Sequence, residues 1–142
     1  NMPDELNQSQ PTQPQPSESG IKKYVLVAED DKFYANIYKT KLAKEGFEIA
    51  VVGDGLQALQ LARERKPDLI LLDLVMPVKD GFETLREIKS DANLKDVRVI
   101  VLSNLGQEED IKKAKDLGAL DYVVKANVSI GEMMSKIKGY LA

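Results

Sequence analysis

Apolar residues along this chain fall into short uninterrupted runs that alternate with longer segments of helical spacing. The runs have the length of buried strands, whereas the segments between them carry an apolar side chain every three or four residues. Gly46 and Gly118 stand where helices are expected to end, and Pro67 breaks the chain before the third run. The pattern predicts five strands, at 24–28, 47–52, 69–72, 97–102 and 120–124, and five helices, at 32–45, 55–65, 81–90, 108–117 and 129–141.

The regular alternation of strand and helix predicts an α/β fold built as one domain. Strands that are apolar without interruption are typical of a parallel sheet covered by helices on both faces. We therefore expect a doubly wound, five-stranded parallel sheet with five helices. The side chains expected to face the core from the first two helices are Phe33, Ile37, Leu42, Leu56, Leu59 and Ala62.

Residues 1–20 differ in composition from the rest of the chain. They hold four of the six prolines, and Met2 and Leu6 are their only sizeable aliphatic residues. Such a segment cannot bury enough apolar surface to offset the entropy of ordering it, so a disordered tail is predicted, followed by one domain at 21–142. Pro11 and Pro14 have the spacing of a proline-rich ligand, but no basic residue lies near them.

The composition excludes several classes of protein. The chain has no Cys and no His, which rules out disulfides, thiolate or His-containing zinc sites and Ser-His-Asp triads. Lys and Arg number 20 against 23 Asp and Glu, a balance that argues against extensive binding of nucleic acid or of an anionic membrane. No apolar stretch approaches the ~20 residues of a membrane span, and the first residues do not resemble a signal peptide, so a cytoplasmic protein is expected.

Polar side chains follow four of the predicted strands at the point where each strand ends. They are Glu29 and Asp30 after the first strand, Asp73 after the third, Ser103 and Asn104 after the fourth, and Lys125 after the fifth. The carboxyl ends of parallel strands meet at one edge of the sheet, where such folds bind their ligands. We therefore expect these side chains to form one site.

Carboxylates gathered at one edge repel each other unless a cation lies between them. Mg²⁺ prefers a few carboxylates together with waters and phosphate oxygens, and Glu29, Asp30 and Asp73 supply such a set. The plainer interpretation of the acidic run is a solvated helix start, and we assign that role, as an N-cap, to Asp31. No glycine-rich phosphate loop follows the first strand, which argues against a nucleotide or flavin site.

Four stretches of the sequence carry a family resemblance. They are LVAEDD from Leu26, LLDLVMPVKDG from Leu71, VLS from Val101 and DYVVK from Asp121. In order and spacing they resemble the receiver domain of bacterial two-component response regulators, over roughly residues 22–142. The string D-x-x-M-P-x-x-D-G that begins at Asp73 is the most specific part of the match. The resemblance implies a flavodoxin-like fold of the receiver type.

The resemblance also implies a role for each residue at this edge. Asp73 is expected to accept a phosphoryl group from a phosphohistidine of a sensor histidine kinase or phosphotransfer protein. Mg²⁺ is expected to be held by Glu29, Asp30, Asp73 and the backbone carbonyl of Val75. The residues implied to bind the phosphate, flank it or switch with it are Lys125, Asn104, Ser103 and the aromatic Tyr122.

Two positions depart from the family pattern. Ala126 stands where the family usually has a proline, with a cis bond, after the lysine. Because a cis bond before another residue costs about 2.5–4 kcal/mol, either the Lys125–Ala126 bond is trans and the loop differs, or the fold maintains a strained cis bond. Asn104 stands where the family usually has a small residue, and either crowds the phosphate pocket or adds a hydrogen bond.

The predicted function is that of a phosphoacceptor, not an enzyme, which switches contacts with an unidentified protein target and itself binds neither nucleic acid nor membranes. The chain is either a stand-alone regulator or a part of a longer protein. The alternative is a receiver-like interaction module that works without phosphorylation. An aspartate-nucleophile phosphatase is disfavoured, because it requires an acid two residues after Asp73, where Val75 stands.

The lifetime of a phosphorylated Asp73 is predicted from two further positions. Val75 and Leu105 are expected to flank the approach of water to the acyl phosphate. Neither side chain can hydrogen-bond a water molecule and orient it for attack. Slow self-dephosphorylation is therefore expected. The alternative is that Leu105 faces away from this approach and Val75 merely packs against the loop.

Overall fold

The five strands run parallel in a single sheet. They are β1 (Tyr24–Ala28), β2 (Glu48–Val52), β3 (Leu69–Leu72), β4 (Arg98–Ser103) and β5 (Asp121–Val124), in the spatial order β2-β1-β3-β4-β5. The computed structural model describes residues 22–142, so the predicted tail at 1–20 lies outside the described residues. The strand order reverses direction at β1, which is the switch point where doubly wound sheets bind ligands.

Five helices connect the strands or follow the last one. They are α1 (Lys32–Lys44), α2 (Gly55–Glu64), α3 (Gly81–Ser90), α4 (Glu108–Asp116) and α5 (Ile130–Leu141), with a short 3₁₀ turn at Lys125–Asn127 before α5. All of these helices except α4 begin at a side chain that accepts a backbone N–H of the first turn. None of the helices within 22–142 is long and apolar enough to cross a membrane.

Alternate residues of each strand face opposite sides of the sheet and build two separate cores. In β1, for example, Leu26 faces the core beneath α2, α3 and α4, whereas Val25 and Val27 face the core beneath α1 and α5. Both faces of β1 and β3 are buried, which explains why these strands are apolar throughout. The predicted doubly wound, flavodoxin-like fold is confirmed.

Two residues expected in the core lie at the surface instead. The side chain of Phe33 is 65% exposed and that of Leu56 is 42% exposed. Each belongs to the first turn of its helix, α1 or α2, which begins level with the carboxyl end of the sheet. Because the strands stop there, an apolar side chain with the correct helical spacing has no sheet beneath it to pack on.

Candidate functional site

Three carboxylates meet at the carboxyl end of the sheet. Glu29 and Asp30 directly follow β1, and Asp73 directly follows the neighbouring strand β3. Glu29 and Asp73 are buried whereas Asp30 is exposed, and one carboxylate oxygen from each of the three lies within 4.8 Å of the others. The predicted acidic cluster is thus assembled by two adjacent strands that end at the same level.

Lys125 compensates the charge of the two buried acids. Its ammonium nitrogen Nζ lies 2.5 Å from Oε1 of Glu29 and 3.2 Å from Oδ2 of Asp73, and only 4% of the residue is exposed. The residue opens the 3₁₀ turn after β5, and its peptide bond to Ala126 is trans, as is every peptide bond within the described part of the chain. The loop that replaces the family's usual proline therefore carries no strained cis bond.

Burial changes the acid–base behaviour of this pair. Desolvation, together with the charge of Asp73 and against the opposing effect of the hydrogen bond to Lys125, raises the pKa of Glu29 to about 7. Burial alone lowers the pKa of Lys125, but the hydrogen bond to Glu29 and the charge of Asp73 outweigh it, so the pKa of the ammonium rises. The lysine therefore stays charged at neutral pH, while Glu29 binds its proton more tightly than a carboxyl group in water.

Backbone groups hold the two buried carboxylates in place from the opposite side. The second carboxylate oxygen of Glu29 accepts the N–H of Asp31 at 3.1 Å, and Oδ1 of Asp73 accepts the N–H of Val75 at 3.2 Å. Asp31 also accepts the N–H of Phe33 at 2.9 Å, so it caps α1 as predicted. Each buried acid is oriented by one backbone donor and one ammonium.

An open cavity of about 400 Å³ leads to this cluster. It is lined by Asp30, Asp31, Asp73, Val75, Asn104 and Lys125. A set of carboxylate oxygens in an open polar cavity suits a hard cation such as Mg²⁺, which keeps several of its waters. Asn104, whose effect was left open by the sequence, is exposed and forms part of the cavity wall.

The loop between β3 and α3 closes tightly around Asp73. A Cβ atom at Gly81 would clash with the carbonyl oxygen of Asp73, so only glycine allows α3 to begin this close to the site. Val78 has φ +67°, and the N–H of Lys79 donates to the carbonyl of Pro77 at 2.7 Å across it. Val78 is thus the central residue of a γ-turn, a conformation that strains a β-branched residue.

Ser103 and Tyr122 lie on the other side of the site, toward α4. Ser103 is fully buried, and its Oγ accepts the N–H of Leu105 at 3.3 Å. The Tyr122 hydroxyl donates to the carbonyl of Leu105 at 2.5 Å, so the ring is turned inward. Burial, together with the negative charges of Asp110 and Asp73, raises the pKa of Tyr122 to about 12. Ser103 and Tyr122 do not line the cavity but are joined through the backbone of Leu105.

The two positions expected to flank an attacking water differ from each other. Val75 is 58% exposed and lines the cavity. Leu105 is half-buried and packs against the core beneath α2, α3 and α4, outside the set of residues that line the cavity. The packing of Leu105 favours the alternative in which its side chain faces away from the cavity, whereas the role of Val75 stays a prediction.

Sequence reasoning missed an aromatic contact to the lysine. The Lys125 ammonium lies over the ring of Tyr34, 4.3 Å from its centroid, and that ring stacks on Tyr38 one turn further along α1. The four-residue spacing of Tyr34 and Tyr38 could have indicated that both lie on one face of the helix. It could not indicate Lys125, which approaches from the turn after β5, at a distant position in the sequence.

A family model described as the response regulator receiver domain matches residues 25–138. The chain belongs to this family. The receiver domain is 39% identical over 105 residues to the chemotaxis protein CheY of Halobacterium salinarum, a match that covers 72% of this chain and 84% of that protein.

Solved structures of receivers share the fold. The phosphorylated cyanobacterial phytochrome response regulator RcpA has a TM-score of 0.75 at 36% identity and covers 84% of this chain and 91% of its own. The receiver domain of the sensor histidine kinase PA1611 from Pseudomonas aeruginosa, with a magnesium ion coordinated in its active-site cleft, has a TM-score of 0.75 at 27% identity and covers 84% of this chain and 98% of its own. The chain spans only 48% and 45% of the length of two DNA-binding regulators that it also matches.

Proposed function

We propose that this receiver domain accepts a phosphoryl group on Asp73 from a phosphohistidine of a sensor histidine kinase or phosphotransfer protein. The observation that carries the proposal is the cluster in which Asp73 lies 3.2 Å from the Lys125 ammonium, beside Glu29 and Asp30. Membership of the receiver family supports it, as does the similarity to a response regulator solved in its phosphorylated form.

The transfer balances between the two proteins. A carboxylate oxygen of Asp73 forms a bond to phosphorus while the phosphorus–nitrogen bond of the donor breaks. The electron pair of that bond returns to the partner's imidazole, which leaves in its neutral form after protonation on the other nitrogen. The absence of His from this chain is no obstacle, since the donor belongs to the partner.

Charge neutralisation is the main task of the residues around Asp73, because the incoming phosphoryl group is itself negative. Mg²⁺, held by Glu29, Asp30, Asp73 and the backbone carbonyl of Val75, would mask the carboxylate charge and that of the phosphoryl oxygens when bound. Lys125 supplies a fixed positive charge beside Asp73, and its raised pKa keeps that charge at neutral pH.

The output of the switch is a change of protein contacts on the side of α4. Ser103 ends β4 at the same edge of the sheet as Asp73, and both its hydroxyl and that of Tyr122 are hydrogen-bonded to the backbone of Leu105. A hydroxyl that leaves one partner for another, coupled to a half-buried aromatic ring, forms a two-state element that phosphorylation can bias. The downstream target is a protein of unknown identity.

The test is incubation of the protein with Mg²⁺ and acetyl phosphate, followed by mass spectrometry, with beryllofluoride binding as a second readout. We expect an adduct on Asp73 that requires Mg²⁺. We expect Asp30→Ala to abolish both labelling and Mg²⁺ binding while the fold survives, because removing one carboxylate relieves repulsion in the metal-free cluster.

The matched control is Asp31→Asn, which removes a neighbouring negative charge but retains an oxygen that can cap α1. This variant is expected to label normally. Normal Mg²⁺-dependent labelling of Asp30→Ala would contradict the assignment of the acids after β1. The absence of any adduct on the unmodified protein would leave only an interaction module that works without phosphorylation.

A further inference from the structure

The first turns of α1 carry a row of three aromatic side chains on the side of the lysine. The rings of Phe33 and Tyr34 meet edge to face, with centroids 5.3 Å apart, and the rings of Tyr34 and Tyr38 stack with centroids 6.2 Å apart. Tyr38 is fully buried and its hydroxyl has no hydrogen-bond partner among the described residues. The ring of Tyr34 is therefore held between a buried neighbour and an edge-on neighbour.

The Lys125 ammonium has three partners, of which this ring is one. It lies 4.3 Å from the centroid of Tyr34, 2.5 Å from Glu29 and 3.2 Å from Asp73. A cation over an aromatic face is attracted more strongly when it has lost its water, and Lys125 is almost completely buried. The attraction between the Tyr34 ring and the Lys125 ammonium is therefore stronger than it would be at the protein surface.

The three contacts respond differently when a phosphoryl group arrives. The oxygens of Glu29 and Asp73 that bond to Lys125 belong to the same carboxylates that would hold a metal ion or form the acyl phosphate. When those oxygens change partners, the ammonium loses directional hydrogen bonds. The attraction to a ring face depends mainly on distance and survives a small displacement of the cation.

We propose that Tyr34 is a positioning residue that keeps the Lys125 ammonium over Asp73 when its carboxylate partners are engaged elsewhere. The inference rests on the proposed function, since it assigns Tyr34 a part in binding the phosphoryl group. Tyr34 is not among the residues that line the cavity leading to Asp73. It acts through the lysine alone, and the face of its ring, not its hydroxyl, is the active feature.

The test compares Tyr34→Phe, which keeps the ring face, with Tyr34→Leu, which keeps apolar bulk without a ring. In the metal-free protein, the ε-methylene signals of Lys125 are measured by NMR, with Lys125→Arg to assign them. A proton above an aromatic ring is shifted upfield, so we expect the shift in the unmodified protein and in Tyr34→Phe. We expect its loss in Tyr34→Leu.

The second readout is the affinity for beryllofluoride in the presence of Mg²⁺. We expect Tyr34→Leu to bind about tenfold more weakly than the unmodified protein, and Tyr34→Phe to remain within about twofold. If Tyr34→Leu does not fold, Tyr34→Met replaces it, because an unbranched side chain adapts to irregular space. Rescue by the phenyl ring separates positioning from packing.

The outcomes distinguish the two proposals. If the unmodified protein binds no beryllofluoride, the proposed function fails. If it binds beryllofluoride but Tyr34→Leu binds equally well or better, only the role of Tyr34 is overturned. Equal ε-methylene shifts in Tyr34→Leu and Tyr34→Phe would likewise overturn it, because the lysine would then not lie over the ring.

Discussion

The helices α4 and α5 pack on opposite faces of β5, and they are held very differently. α5 begins with a reciprocal pair of cap bonds between Ser129 and Glu132 and buries four side chains, Met133, Met134, Ile137 and Leu141. α4 has no side-chain cap, buries Ala114 alone, and carries charges at seven of its nine positions. One helix is anchored in the core, whereas the other rests on the sheet through a narrow apolar contact.

This difference indicates which side of the receiver is firmly packed and which side can change its conformation in response to phosphorylation. Lys125 follows β5 and opens the 3₁₀ turn that leads into the anchored helix α5, so the ammonium that meets Asp73 is attached to the well-packed side of the domain. Tyr122, on the same strand, is bonded to Leu105 in the segment that leads into α4. Elements that respond to ligands are drawn from the weakly held parts of a fold, and α4 fits that description.

The largest expected difference between the two helices concerns stability. Ile137→Ala in α5 removes a fully buried side chain, and we expect it to lower the free energy of unfolding by about 3 kcal/mol. Ile111→Ala in α4 shortens a half-buried side chain, and we expect a loss of about 1 kcal/mol or less. Urea denaturation measures both, and equal losses would show that α4 is as firmly anchored as α5.

The raised pKa of the buried acid Glu29 predicts that the free energy of unfolding depends on pH. Glu29 binds its proton more tightly in the folded protein, with a pKa of about 7 against 4.5 ordinarily, so its contribution is complete at low pH and is lost as the pH rises through 7. We expect the metal-free protein to lose on the order of 2 kcal/mol between about pH 5 and pH 8.

Between about pH 5 and pH 8 no histidine side chain contributes to the change in stability, because the chain has no His. Acids whose pKa is lowered, such as Asp91, titrate below this range, and Lys125 titrates above it. Urea denaturation in EDTA at a series of pH values gives the profile, and Glu29→Gln is expected to flatten it. A protein that gains stability over this range would contradict the raised pKa of Glu29.

The exposed side of the cavity predicts the lifetime of the phosphorylated state. Val75→Asn places a hydrogen-bonding group in the cavity wall, where it can orient an attacking water, and we expect the acyl phosphate to decay about tenfold faster. Leu105→Gln is the matched control, since its side chain packs toward the core beneath α4. Similar acceleration by both variants would mean that Leu105 also reaches the water.

The smallest expected effect isolates the link between Tyr122 and α4. Tyr122→Phe removes the hydroxyl that donates to the Leu105 carbonyl, and we expect a local loss of about 1 kcal/mol. Hydrogen exchange of the α4 amides should then speed up about fivefold, whereas the α5 amides should be unchanged. Unchanged exchange in both helices would show that this hydrogen bond does not hold α4.

The strands could be predicted from the sequence because most of their side chains are buried in the core on one face of the sheet or the other. β1 and β3 are covered on both faces, so each run of apolar residues identifies a strand and the polar residue after it identifies the edge of the sheet. The meeting of Glu29, Asp73 and Lys125 follows from that edge. The parallel register, in which Ala28 pairs with Leu72, places the ends of β1 and β3 at the same level.

Other contacts could not be predicted from spacing, because they depend on where an element stops or on a partner from a distant segment. Phe33 has core spacing but sits in a first turn that has no sheet beneath it. Leu105 sits two residues after Ser103, yet its side chain turns to the core and not to the cavity. The contact of Tyr34 with Lys125 joins α1 to the end of β5, and nothing in either local pattern indicates the other.

The γ-turn at Val78 has a consequence for how this sequence can vary. A β-branched residue in the left-handed region is held there against its own preference by the surrounding backbone bonds, and its side chain is 78% exposed. Glycine or asparagine would adopt the same conformation with less strain and would change no charge and no cavity wall. Selection for greater stability can therefore act at this position, while selection for chemistry acts on Asp73 at the other end of the loop.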